Sequence, residues 1–279
     1  MANFHSDEWI MARLNEHYEE AKTLIDESRI VCLCLQGSQN YGLDYAGSDI
    51  DTKLIVVPSF EDIVFNRRPM STTHVRHNNE HIDIKDFRLY RQCFEKQNLN
   101  FLEILFTPYK IVNPQYEQWW NHLVENREAI AHYDFHRAIK SMKGIALEKY
   151  HAMEHKYPSK VDIIERYGYD SKQLHHLLRV EEYLARYIEG RSYEECLIPT
   201  KETAERLRKI KEDNGFLNLT DARMVADEAL LHIEHMCDDA LELFESGANQ
   251  AVDDLLDQVQ YDIMKFAVAY ELMEEEYYD

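Results

Sequence analysis

No stretch of this 279-residue chain approaches the eighteen or so consecutive apolar residues that a membrane span requires, so no membrane partner is expected. The opening residues, MANFHSDEWIMARL, carry acids and a helical rhythm where a secretory leader would need a basic start and an apolar stretch. The expected compartment is therefore the cytoplasm. Cysteine is sparse: there are five, an odd number, and none forms a CxxC pair. Cys32 and Cys34 alternate along an apolar run and read as small buried hydrophobes on one face of a strand, not as a disulfide or a zinc site. No phosphate-binding P-loop, dinucleotide fingerprint or Ser-His-Asp signature is present. Positive charge is also short, with 31 basic residues against 52 acidic ones and a formal net charge of −21. A protein that grips extended duplex DNA must neutralise many phosphates, and this chain lacks the basic surplus for it. A local basic groove for a short RNA end is still compatible with the balance. Much of the acid lies in the C-terminal third, where it reads as a solvated helix face.

What is present fits a folded protein with one large domain or two modest ones, at 45% apolar and 30% charged residues. Residues 6 to 29 place Trp9, Ile10, Leu14, Tyr18, Ala21, Leu24 and Ile25 at helical spacing. Ile30 to Leu35 reads as a buried strand, broken by Gly37 and Ser38. Asp49 to Val57 is a second strand, ended by Pro58. Two further extended stretches, Thr72 to Arg76 and His81 to Phe87, flank the turn-like HNNE. A helix from Phe87 to about Gln97 follows, then NLNFLEILF, whose type the pattern leaves open. From about residue 114 the helical period takes over, interrupted at Tyr157-Pro158, Gly168, Gly190, Pro199 and Asn214-Gly215. The expected class is α+β, with a small mixed sheet and an N-terminal helix in residues 1–113 and an all-α domain in residues 114–279.

The chemistry concentrates around Gly37-Ser38 and Asp49-Ile50-Asp51. Side chains alternate along a strand, so Asp49 and Asp51 project from one side while Ile50 enters the core. Two carboxylates that close repel one another unless a cation intervenes, and hard oxygen ligands suit Mg²⁺. Gly37 lets backbone approach a ligand, and Ser38 can cap a turn whose free N–H groups attract phosphate. In His81-Ile82-Asp83-Ile84-Lys85-Asp86, the isoleucines take the core face. Asp83 and Lys85 share the opposite face, which makes Asp83 the expected third acid and Asp86, on the isoleucine side, the fallback. His74, His77 and His81 surround the hairpin turn with spacing unsuited to zinc and could meet an acceptor. Trp119, Trp120 and the many tyrosines read as core. In the helical part, Asp170 or Ser171 can begin a helix on which Lys172, His176 and Arg179 recur at i, i+4 and i+7. Two readings stay open for that stripe: ligand contacts, or a solvent-facing balance to Glu181 and Glu182.

Gly-Ser, then Asp-x-Asp, then a later strand Asp resembles the signature of DNA polymerase β superfamily nucleotidyltransferases. The segments GSQNYGLDYAGSDID, IDIKDFRLYRQCFEKQNLNFLEILFTP and GYDSKQLHHLLRVEEYLARYIEG are similar to the nucleotidyltransferases associated with bacterial and phage RNA repair. Gln39 stands where a histidine is common. The resemblance implies a polymerase β-like palm and a helical domain that closes over the nucleotide and acceptor. It implies a nucleoside triphosphate as substrate and two Mg²⁺ ions, with Mn²⁺ as a substitute, held by Asp49, Asp51 and Asp83. Asp83 would also accept the acceptor's proton. Gly37, Ser38, Lys85, Lys172, His176 and Arg179 would contact the nucleotide. An RNA or tRNA end is the acceptor the family points to; a protein, an aminoglycoside-like small molecule or a non-catalytic antitoxin-like role are the alternatives.

Overall fold

The computed structural model describes residues 3–278, with side chains to residue 273. The fold is α+β: a five-stranded mixed sheet with a helical region, in strand order β3-β4-β2-β1-β5. β1 (Ile30–Gln36) is apolar until its last residue, as a strand covered on both faces must be. It runs antiparallel to β2 (Asp51–Val56) and to β5 (Lys110–Val112). β4 (His81–Asp86) lies parallel to β2 and antiparallel to β3 (Ser71–Val75), which forms an exposed edge.

The Ser6 side chain caps α1 (Asp7–Leu24), whose stripe of Ile10, Leu14, Tyr18 and Ala21 is buried with Leu33, Leu35, Leu54, Val56, Ile82 and Ile84. Truncating one of these fully buried leucines to alanine would cost about 2–5 kcal/mol. That core fixes the register of β2 and β4, because a slip of one residue would turn every apolar side chain outward. The other sheet face is covered by α3 (Phe87–Glu95) and α4 (Leu99–Leu102), which follow the short α2 (Phe60–Val64). The ambiguous NLNFLEILF becomes α4 and a 3₁₀ turn at Glu103–Leu105. Cys32 and Cys34 are fully buried free thiols. After β5 come α5 (Glu117–Glu125) and α6 (Arg127–Ala131).

The remainder is helical: α7 (Phe135–Ala152), α8 (Val161–Tyr167), α9 (Ser171–Ile188), α10 (Tyr193–Leu197), α11 (Lys201–Glu212), α12 (Leu219–Leu243) and α13 (Gln250–Tyr278). α8 stops at Gly168, whose φ of +84° and tight approach to Leu219 leave no place for a side chain. Among the described residues no helix is long and apolar enough to cross a membrane.

Contacts group the chain into two compact units. One holds His5–Asn40, Ser48–Tyr133 and the stretch from Ala248; the other holds Tyr41–Gly47 and Asp134–Gly247. Compared with a single cut at 113/114, several stretches group differently. α5, α6 and α13 belong with the sheet, where Phe266 of α13 meets Tyr116 edge-on and Asp257 pairs with Arg91. The loop 41–47 belongs with the helices.

Candidate active site

Asp49 and Asp51 flank the fully buried Ile50, and both carboxylates lie at the surface of the strand entry. β2 and β4 are parallel with Lys53 beside Asp83, so Asp51, Lys53, Asp83 and Lys85 share one sheet face. Ile82 and Ile84 occupy the other. Asp86 is committed elsewhere: it caps α3 through the Arg88 amide and grips the Arg88 guanidinium with both oxygens. A buried cap already paired in this way is no metal ligand.

The three strand acids do not converge on one point. Among the described residues, no group of three or more His, Cys, Asp or Glu side chains stands close enough to hold a metal ion. Asp51 Oδ1 accepts hydrogen bonds from the backbone N–H and the Nδ1 of His81, both at 2.9 Å. Asp83 Oδ2 pairs with the Lys53 ammonium at 3.3 Å, and its Oδ1 accepts from the Thr73 hydroxyl at 3.4 Å. The chain's own groups thus meet two of the acids: the Lys53 ammonium offsets the charge of Asp83, and His81 hydrogen-bonds one oxygen of Asp51. The donor set that fits a hard divalent ion is Asp49 with the remaining oxygen of Asp51. Lys53 was legible by alternation, two residues beyond Asp51 on the same face, and the sequence reading overlooked it.

Beneath the acids lies a buried network that the sequence reading also missed. Glu80, 5% exposed, accepts from the Ile50 amide through Oε1 at 3.2 Å. Its Oε2 accepts from Arg76 at 3.0 Å, from His17 at 2.9 Å and from Arg13. Burial raises a carboxyl's pKa, yet hydrogen bonds from His17, Asn78, Arg13 and Ile50 outweigh it and hold Glu80 far below the usual carboxylate range. The other nitrogen of His17 meets the Thr52 hydroxyl at 2.9 Å. The carbonyl of Asp49 accepts from Gln39 Nε2 at 2.8 Å. The peptide group joining Asp49 to Ile50 is thus clamped at both its carbonyl and its N–H, which fixes the backbone between the two acids. His17 falls on the apolar stripe of α1, and that was the available signal.

The Gly37-Ser38 turn is braced in a comparable manner. Gly37 sits at φ +112°, a conformation that L side chains rarely adopt. Its amide donates to the buried Glu103 carboxylate at 2.9 Å, so that donor is already engaged, and Ser38 opens a 3₁₀ turn, nearly buried. Asn40 Nδ2 donates to the Leu35 carbonyl, and Thr107 donates to Asn40 Oδ1. A single acid inside the apolar NFLEILF was the clue to Glu103. Lys85 Nζ donates to Ser71 at 2.8 Å and lies 5.2 Å from the Phe101 ring centre. His74 meets Glu20, and His77 is exposed.

In the helical unit, Asp170 caps α9 through the Lys172 amide. The three expected cations differ in state. Lys172 is exposed. His176 is half-buried, and burial, then His175, then the Arg179 and Lys172 cations push its pKa well down, so it is neutral at pH 7. Arg179 is buried with its guanidinium 3.6 Å from the Tyr41 ring centre. Arg208 donates to the Gly42 carbonyl, and Lys211 donates to the Leu43 carbonyl at 3.3 Å and lies over Tyr45. The loop 41–47 is therefore held by cations. A stripe of three charged groups was expected; one neutral imidazole and one guanidinium stacked on the protein's own tyrosine are found. His175 is a core residue whose Nδ1 donates to the Leu207 carbonyl, and burial lowers its pKa to about 3.

No curated protein matches the chain. Among solved structures, a nucleotidyltransferase-like protein from Exiguobacterium sibiricum is similar at 12% identity, over 82% of this chain and 75% of that one. Its TM-score of 0.29 is too low to carry an argument. The family model described as RlaP, an RNA repair pathway DNA polymerase beta family, matches residues 7–196.

Proposed function

The chain belongs to the RNA repair pathway DNA polymerase beta family, and from that premise we propose that it transfers a nucleoside monophosphate from a triphosphate to an acceptor hydroxyl, releasing pyrophosphate. The observation that carries the reading is the family match over residues 7–196, a segment that holds Asp49, Asp51 and Asp83, the last two on one sheet face. The acceptor oxygen attacks the α-phosphorus, the bond to the bridging oxygen breaks, and its electron pair leaves with pyrophosphate. Asp83 accepts the hydroxyl's proton. Asp49 and Asp51 would hold Mg²⁺, or Mn²⁺ in its place, and such an ion supplies charge neutralisation at the triphosphate. Glu80 and Gln39 keep those two acids in place by fixing the peptide group that joins Asp49 to Ile50. Amides of the turn at Ser38 face the outer phosphates, with Lys85 as a further phosphate contact. An RNA or tRNA end is the proposed acceptor by family association.

Radiolabelled triphosphate with Mg²⁺, offered RNA, tRNA, protein and small-molecule acceptors, tests this. Label moving to RNA supports the reading; no transfer to any acceptor or to the enzyme itself sinks it. One observation favours a second acceptor class: a net charge of −21 would draw a cationic small molecule such as an aminoglycoside. Transfer to that class with RNA inert would decide for it. A non-catalytic role predicts triphosphate binding that ignores metal.

A further inference from the structure

Asp83 differs from the other two acids in having both carboxylate oxygens engaged by the protein. Its Oδ2 faces Lys53 and its Oδ1 faces Thr73. Asp49 is exposed with no side-chain partner among the described residues, and Asp51 uses one oxygen for His81. Lys53 is no surface side chain free to swing aside. Its side chain is 4% exposed, and its ammonium sits 4.0 Å from the centre of the Phe101 ring as well as beside Asp83. The parallel pairing of β2 with β4 places Lys53 and Asp83 side by side on one face, so the backbone itself sets their contact. An ion bound by Asp83 would have to enter next to that fixed ammonium, against like-charge repulsion in a partly dehydrated place.

We propose that Lys53 occupies the role of a second metal ion: Asp49 and Asp51 bind a single divalent cation, while Asp83 is paired with the Lys53 ammonium and binds none. The inference rests on the nucleotidyl-transfer reading and departs from its two-ion form. In the group-transfer step the new bond joins the acceptor oxygen to the α-phosphorus, and the bond to the bridging oxygen breaks. The proton moves to Asp83 and the electron pair leaves with pyrophosphate. Lys53 contributes one fixed positive charge beside Asp83.

The test counts bound Mn²⁺ by electron paramagnetic resonance, with a saturating non-hydrolysable triphosphate analogue. The acidic surface is corrected for by subtracting the count for the Asp49→Asn/Asp51→Asn double variant. The proposal expects a difference of one ion per chain, and the same difference in Asp83→Asn with Kd changed by less than about twofold. It expects Lys53→Met to admit a second ion that Asp83→Asn then removes. Two ions in the unaltered protein, one of them lost in Asp83→Asn, overturn this proposal and leave nucleotidyl transfer standing. A difference of zero overturns the transfer reading itself. Should Lys53→Met fail to fold by circular dichroism, the Asp83→Asn count decides alone.

Discussion

The strand acids and the basic stripe on α9 were both visible as periodic patterns, but they end in opposite circumstances. On the sheet, a period of two and a fully buried isoleucine core leave Asp51 and Asp83 no choice of face. On the helix, the i, i+4, i+7 spacing does place three side chains along one side. It says nothing of what covers them, and the answer is a distant stretch of the chain: Tyr41 lies against Arg179. A strand pattern fixes the direction here, while the helices on that face decide the exposure: Asp51 and Asp83 stay partly open, and Lys53 beside them is buried. A helical stripe predicts direction alone.

The sharpest way to break this comparison is to alter the two ends separately. Asp49→Asn or Asp51→Asn should abolish transfer, by about 10³-fold or more if these acids serve the transition state, and leave melting unchanged or slightly raised. Steady-state assays beside calorimetric melts would show it. A variant retaining a tenth of the activity would place the chemistry elsewhere.

Glu80→Ala strikes the support of the acids instead. It strands Arg76 and His17 without their buried acceptor and should cost about 3–5 kcal/mol in urea unfolding. Glu80→Gln should cost less while still raising the metal concentration needed for activity. Because the folded-state pKa of Glu80 is depressed, its stabilisation holds above the ordinary glutamate range and fades as the pH falls below about 4.3, where the unfolded chain takes up protons first.

The helical unit responds to pH differently. His175 titrates at about 3 when folded but near 6.5 when unfolded, so stability should decline as the pH falls from about 6.5, by up to about 1.4 kcal/mol per unit. Between pH 7 and 5 a His175→Phe variant should show a flatter profile, apart from the share due to His176. An unchanged slope would mean that His175 is accessible to protons in the folded state.

Smallest of all are the stripe's own residues. Arg179→Ala should cost about 1–2 kcal/mol by removing the Tyr41 contact and the packed stem. Lys172→Ala should leave stability within about 0.5 kcal/mol, as expected for an exposed side chain. Equal stability losses at the two positions would erase the distinction drawn between them.

Much of the sheet region was legible because its signals are local. Alternation gave β2 and β4, and Gly37-Ser38 marked the turn. β5 escaped notice because three residues make no period, and its pairing with β1 is set across seventy-odd positions. The buried polar side chains were hidden for a related reason. Glu80, Glu103 and His17 earn their burial from partners far away in sequence, and a single chain shows no such pairings. The grouping of α13 with the sheet likewise depends on Phe266 meeting Tyr116, which no helical period announces.

Titration calorimetry of a non-hydrolysable triphosphate, with and without Mg²⁺, tests the central claim most directly. The account predicts binding that requires Mg²⁺ in the unaltered protein and loses that requirement, together with most of its affinity, in Asp51→Asn. Equal affinity with and without the metal, unaffected by Asp51→Asn, would contradict it.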